Sequence, residues 1–166
     1  MVKAWIVVMG VSGCGKSSLG AALAADLALP LIEGDDFHPP ANVAKMSAGV
    51  ALTDADRVGW LDTLARTLAD APSGAVLTCS ALKRSYRAQL RSAVPDLRFV
   101  FLALARDEAE RRVAARAAQH MFPASLVADQ FATLESPVGE PGVLEVQATA
   151  PLADSAAQVR RWLQAA

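Results

Sequence analysis

Gly10-Val11-Ser12-Gly13-Cys14-Gly15-Lys16-Ser17 satisfies G-x-x-x-x-G-K-[ST] at every fixed position. Its flanks supply the context that such a motif needs. Ala4–Met9 (AWIVVM) is an unbroken apolar run with β-branched residues, the pattern of a strand buried on both faces. From Lys16 onward, Leu19, Leu23 and Leu27 recur at helical spacing. Strand, glycine loop and helix in direct succession form the first half of a βαβ unit. The glycines let the backbone curl so that successive N–H groups point at phosphate oxygens, and the helix N-terminus adds the positive end of its dipole. The candidate nucleotide-binding residues are therefore Gly10, Val11, Ser12, Gly13, Cys14, Gly15, Lys16, Ser17 and Ser18. Lys16 is expected to reach the β- and γ-phosphates of ATP, and the Ser17 hydroxyl to bind Mg²⁺.

The 166 residues suffice for one domain, 1–166, that buries a core without disulfides or metal. With 16 basic against 17 acidic residues the formal charge is −1, which gives no basic field for nucleic acid or an anionic membrane. No apolar run approaches a membrane span, and the start MVKAW passes directly into a strand, which points to the cytoplasm. Cys14 and Cys79 do not make a secreted disulfide framework, and neither has a neighbour in metal-ligand spacing.

Short apolar runs at Leu31-Ile32, Ala75–Cys79, Phe99–Leu104 and Val143–Val146 alternate with helical stretches at Asp54–Ala69, Lys83–Ala93, Asp107–Ala118 and Ala153–Leu163. That alternation implies a parallel sheet with helices on both faces. Thr53 and Asp56 form a near capping box at the start of the 54–69 helix. Residues 34–53 and 117–125 read as irregular, and long connections of this kind are functional loops or lids.

A phosphate loop implies nucleotide binding, so the acceptor has to be sought elsewhere. Asp35 and Asp36 follow the second strand, at the sheet edge that carries ligands in open α/β folds. A carboxylate there accepts a hydroxyl proton or helps order Mg²⁺, or else caps the following turn. His38, before Pro39-Pro40, reads equally as a turn residue or a substrate contact. Arg57 lies in the first turn of a helix, where the macrodipole disfavours a cation. It suits a substrate carboxylate, or pairs with Asp54 or Asp56. Lys83 closes Cys79-Ser80-Ala81-Leu82-Lys83 on the same edge, as a substrate contact or an exposed first-turn residue. No carboxylate ends the third strand, so Ser17 and Asp35 are the expected metal ligands. Arg112 and Arg116 share a helical face before the irregular 117–125 segment, suited to neutralising a transferring phosphoryl group or to a salt-bridge ladder with Glu108. Gln147-Ala148-Thr149-Ala150-Pro151 is the expected location of the adenine.

Taken with EGDDFHP (33–39), LTDADRVGWL (52–61), CSALK (79–83), Tyr86-Arg87, Leu90-Arg91 and QFATLESP (130–137), the chain resembles bacterial and eukaryotic gluconokinases of the small P-loop type. The resemblance implies ATP-dependent phosphorylation of D-gluconate to 6-phospho-D-gluconate. It also implies a three-layer P-loop kinase fold, a five-stranded parallel sheet of order 2-3-1-4-5 with a mobile lid, and a homodimer. On this reading residues 34–61 form the substrate-binding region, and Asp35, His38, Arg57 and, beyond it, Lys83 bind substrate. The lid spans about 112–125, and Lys16, Asp35 and Arg116 are catalytic, with Arg112 on the nucleotide. The spacing Arg116-Ala117-Ala118-Gln119-His120 departs from the family's shorter, glycine-bearing one. A shikimate kinase-like enzyme and a non-catalytic nucleotide-binding regulator are the rival readings. Cys79-Ser80-Ala81 stands against the first, and the retained Lys16, Ser17 and Asp35 against the second.

Overall fold

β1 (Ala4–Met9) lies at the centre of the molecule because Ile6–Met9 are apolar on both faces and all buried. The computed structural model describes residues 3–116 and 124–165. In it β1 pairs in parallel with β3 (Gly74–Thr78) on one side and β4 (Arg98–Ala103) on the other, Ile6 standing opposite Val76 and Arg98. β2 (Leu31–Glu33) and β5 (Val143–Gln147) close the sheet in the order β2-β3-β1-β4-β5, as the resemblance implied. Seven helices accompany it among the described residues: α1 (Lys16–Leu27), α2 (Pro40–Ser47), α3 (Asp54–Ala69), α4 (Arg84–Ala93), α5 (Arg106–Ala115), α6 (Val127–Thr133) and α7 (Leu152–Ala165). α1 packs on β3 and α7, while α3 packs on β3 and α4. β3 is thereby covered on both faces, and all five of its residues are buried.

The carboxyl ends of three neighbouring strands deliver the chemistry to one edge, as open α/β sheets do. β1 runs into the phosphate loop, β2 into Gly34-Asp35, and β3 into Cys79-Ser80. Gly34 is obligatory at its position. A Cβ there would stand 2.2 Å from the Thr78 carbonyl oxygen, so only glycine lets the chain carrying Asp35 lie against β3.

Two expectations need correction. Residues 34–53 are not irregular: Gly34–Phe37 form a 3₁₀ turn and Pro40–Ser47 form α2. Pro39-Pro40 is a loop signal, but Pro40 occupies the first helical turn, where a missing N–H is harmless and its fixed φ fits. The 117–125 stretch ends in a 3₁₀ turn, Ala124–Leu126, that leads into the unexpected α6. Residues 117–123, with His120 and the middle of the expected lid, lie outside the described residues.

At the start of α3 the capping box is complete. Asp56 N–H donates to Thr53 Oγ1 at 3.2 Å, and Thr53 N–H to Asp56 Oδ2 at 2.8 Å. Lys45 also donates to Asp56 Oδ2 at 2.7 Å, tying α2 to α3. That bond first, and the Thr53 N–H second, hold the Asp56 carboxyl down at about 2.

Candidate active site

A cleft opens at the carboxyl edge of the sheet. The phosphate loop forms one part of its lining, with Ser12, Gly13, Gly15, Lys16, Ser17 and Ser18. Gly15 caps α1 at φ 95°, with no side-chain cap hydrogen bond among the described residues. Lys16 Nζ donates to the carbonyls of Gly10 and Val11, both at 3.1 Å. Cys14 and Cys79 are free and buried; burial raises both thiols, Cys79 to about 12, so neither is a nucleophile.

The rest of the lining includes Asp35, His38, Arg57, Trp60, Ser80 and Arg116. Five of the expected substrate and catalytic residues, Lys16, Asp35, His38, Arg57 and Arg116, thus share one cleft. Asp35 is well exposed to it, its side chain 60% accessible. His38 is packed instead: its ring stacks on Trp60 at 4.0 Å and 16°, and Trp60 Nε1 donates to the Gly34 carbonyl at 2.8 Å. Burial holds the His38 imidazole below its ordinary value, against the opposing pull of the Asp35 carboxylate.

Arg57 is paired with neither Asp54 nor Asp56. It donates to the Tyr86 hydroxyl at 2.9 Å and lies over that ring. Tyr86 in turn donates to Asp54 Oδ1 at 2.5 Å. Lys83 reaches the same Asp54 at 2.9 Å and does not line the cleft. The two cations expected to meet one carboxylate both lie over the Tyr86 ring, but only Arg57 lines the cleft, while Lys83 pairs with Asp54. Arg112 also lies off the lining, bonded to Glu108 at 3.1 Å, to the Gly13 carbonyl at 3.2 Å and to the Ala148 carbonyl at 3.3 Å. Arg112 thus has the Glu108 partner of the salt-bridge reading, and it also links the phosphate loop to the 147–151 loop. Asp36 is exposed and outside the lining.

The AAA domain family matches residues 6–140. A gluconokinase of Gluconobacter oxydans is 49% identical over 146 residues, covering 86% of this chain and 81% of the relative. The chain belongs to the gluconokinase family. The thermoresistant gluconokinase of Escherichia coli is 39% identical, over 88% of this chain and 85% of its own. Among solved structures, a gluconokinase from Sinorhizobium meliloti 1021 superposes with a TM-score of 0.89 at 44% identity, covering 98% of this chain and 93% of that one.

Three residues of this family member went unassigned in the sequence. Glu33 Oε2 accepts the Ser17 hydroxyl at 3.0 Å and the Thr78 hydroxyl at 2.6 Å, so the carboxylate hydrogen-bonded to Ser17 is that of Glu33, at the end of β2. Gln130, on α6, accepts the Ser12 N–H through Oε1 at 2.5 Å and lines the cleft. Arg87, on α4, is fully buried with all five N–H donors engaged. They go to the carbonyls of Ala81 (2.7 Å), Leu82 (3.2 Å) and Glu135 (2.9 Å), and to both Glu140 oxygens (3.1 and 2.6 Å). It thereby fixes the loop behind Ser80, where Ala81 has φ 47°, and Ser80 O accepts the Gly10 N–H at 3.4 Å. Glu33, Gln130 and Arg87 all stood inside quoted motifs, which was the available signal.

Proposed function

We propose that the protein is a gluconokinase that transfers the γ-phosphoryl group of ATP to the 6-hydroxyl of D-gluconate. The observation that carries this reading is the meeting, in one cleft, of the phosphate loop with Asp35 and Arg57. Gluconate is a polyol with a single carboxylate, so its site needs a cation at one end and a proton acceptor at the other. Arg57, oriented by the Tyr86 hydroxyl, suits the carboxylate. Asp35 suits the hydroxyl: as the substrate oxygen bonds to the γ-phosphorus and the bond to ADP breaks, the hydroxyl proton passes to its carboxylate. Lys16 and Arg116 balance the charge on the phosphoryl oxygens, with Arg112 linking the loop to the adenine side.

The donor set fits Mg²⁺. Ser17 Oγ and Glu33 Oε2 stand 3.0 Å apart, and Asp35 lines the same cleft, all hard oxygen donors. Bound Mg²⁺ would neutralise charge on the β- and γ-phosphates. The lid over about 112–125 and the homodimer are carried by the family resemblance, and the cytoplasmic location by the sequence's start and lack of a long apolar run. No helix among the described residues is long and apolar enough to cross a membrane.

Coupled ATP turnover with Mg²⁺, comparing D-gluconate with shikimate and AMP, tests the proposal. Gluconate-dependent ADP release at about 1–100 per second is expected. Turnover with shikimate or AMP alone overturns the substrate, and no ATP consumption with any acceptor favours the regulator reading.

A further inference from the structure

We propose that Asn42, acting through His38, is a positioning residue for Asp35: it holds the imidazole in the tautomer whose Nε2–H faces that carboxylate. The inference rests on the reading of Asp35 as the acceptor of the substrate's hydroxyl proton.

Asn42, in the first turn of α2, is 3% exposed. Its Nδ2 lies 2.9 Å from the Asp56 carbonyl oxygen and 3.3 Å from His38 Nδ1. A carbonyl oxygen only accepts, so the amide must turn its nitrogen, not its oxygen, to this side. One N–H goes to Asp56 and the second to His38 Nδ1, which receives it on a lone pair. A neutral imidazole with Nδ1 as acceptor carries its proton on Nε2. That nitrogen faces Asp35, with Oδ1 at 3.7 Å.

The ring is held against reorientation. The His38 side chain is 3% exposed and stacked on Trp60, which is itself anchored to the Gly34 carbonyl. Donation therefore runs outward from Asn42, back to the Asp56 carbonyl and forward to His38 Nδ1, and on from the His38 Nε2–H toward Asp35. At 3.7 Å the last contact is longer than a hydrogen bond. The exposed Asp35 side chain closes it by a small rotation, or one water bridges it. The Nε2–H then selects, from the rotamers open to Asp35, one that leaves the second carboxylate oxygen for the substrate hydroxyl. Arg57 is the other charge that acts on this imidazole, and it lines the cleft beside it.

The chain has two histidines, so two-bond ¹H–¹⁵N correlation spectra of the whole protein are simple to read. His120→Gln identifies the set that belongs to His38. The expected pattern above neutral pH is a protonated-type Nε2 and an unprotonated-type Nδ1. In Asn42→Asp a carboxylate replaces the donor, draws the proton to Nδ1 and inverts the pattern. With it kcat falls about 10- to 100-fold, by analogy with the loss of an outer partner of a metal-bound histidine. The KM for gluconate and for ATP stays within about twofold, a split that loss of packing alone does not produce. Asn42→Ala, which removes the donor without adding charge, should give mixed tautomers and a kcat loss in the same direction if Asn42→Asp does not fold. His38→Gln, which restores an N–H, should keep more activity than His38→Leu.

An Nδ1–H tautomer in the wild-type protein, with Asp35 essential, overturns this proposal alone. So does wild-type kcat in a variant whose tautomer has inverted. Normal turnover by Asp35→Asn removes the acceptor reading and the catalytic half of this proposal with it, whatever the tautomer.

Discussion

Replacing Arg87 with methionine keeps most of the buried volume and removes five donors at once. The carbonyls of Ala81 and Glu135 lose their Arg87 bonds, while Leu82 keeps the Glu135 N–H at 2.8 Å. The Glu140 carboxylate, 6% exposed, retains Arg91 at 3.0 Å and Arg84 at 3.7 Å. Removing one partner of a buried ion pair costs about 3–5 kcal/mol, because the other charge is left in a poorly solvated place. Arg91 compensates in part, so about 4 kcal/mol is expected, against a total of about 5–15 kcal/mol for a domain. At about 2–4 °C per kcal/mol for a chain of this size, Tm falls by about 8–16 °C. Thermal melts followed by circular dichroism measure it directly. Arg87→Met/Glu140→Leu removes both charges, and should be more stable than Arg87→Met alone. The pH dependence has a defined sign. The Arg87 fork, more than Arg91, holds the folded Glu140 carboxyl below its ordinary range. Its contribution is present above the unfolded carboxylate value and is lost as pH falls through the folded one, so the gap between wild type and Arg87→Met narrows in acid. A Tm loss below about 2 °C, or a double variant no more stable than the single one, would refute this account of Arg87.

Lys16→Ala should abolish turnover with a wild-type melt, and Arg57→Ala should raise the gluconate KM more than the ATP KM; steady-state kinetics on both substrates check each. Glu33→Gln should raise the Mg²⁺ concentration for half-maximal activity by about 10-fold or more, read from a metal titration at saturating substrates. Asp56→Asn should destabilise the protein at neutral pH. Because Asp56 sits at about 2 in the fold, its contribution is present above an ordinary carboxyl value, and the difference from wild type closes as pH falls from there toward 2 in urea titrations.

Much of this architecture was legible because its signals are local. The β-branched run at Ala4–Met9, the glycines before Lys16 and the Thr53/Asp56 pair each act on their own segment: β1 spans the first, and α1 and α3 begin where the others place them. α2 was hidden by Pro39-Pro40, because one residue type both breaks helices and starts them. The side-chain partnerships were less legible, since they depend on which loops the topology brings together. Gln130 meets Ser12 across 118 positions, and Lys83 meets Asp54 across 29, beyond the reach of any spacing rule. Glu33 was hidden by its neighbours: Asp35 and Asp36 are the obvious acids, but it is the last strand residue, before Gly34, that faces Ser17.

Lys16 and the Ser12 N–H already have partners within the protein, the carbonyls of Gly10 and Val11 and the carboxamide of Gln130. Phosphate oxygens arriving at these donors exchange one hydrogen bond for another, and an exchange contributes little net free energy. What a polyphosphate brings beyond the exchange is its negative charge. A singly or doubly charged inorganic anion brings less of it, in fewer places, and competes poorly with the loop's own carbonyls. At these two donors, therefore, the net gain on binding grows with the charge that the ligand brings.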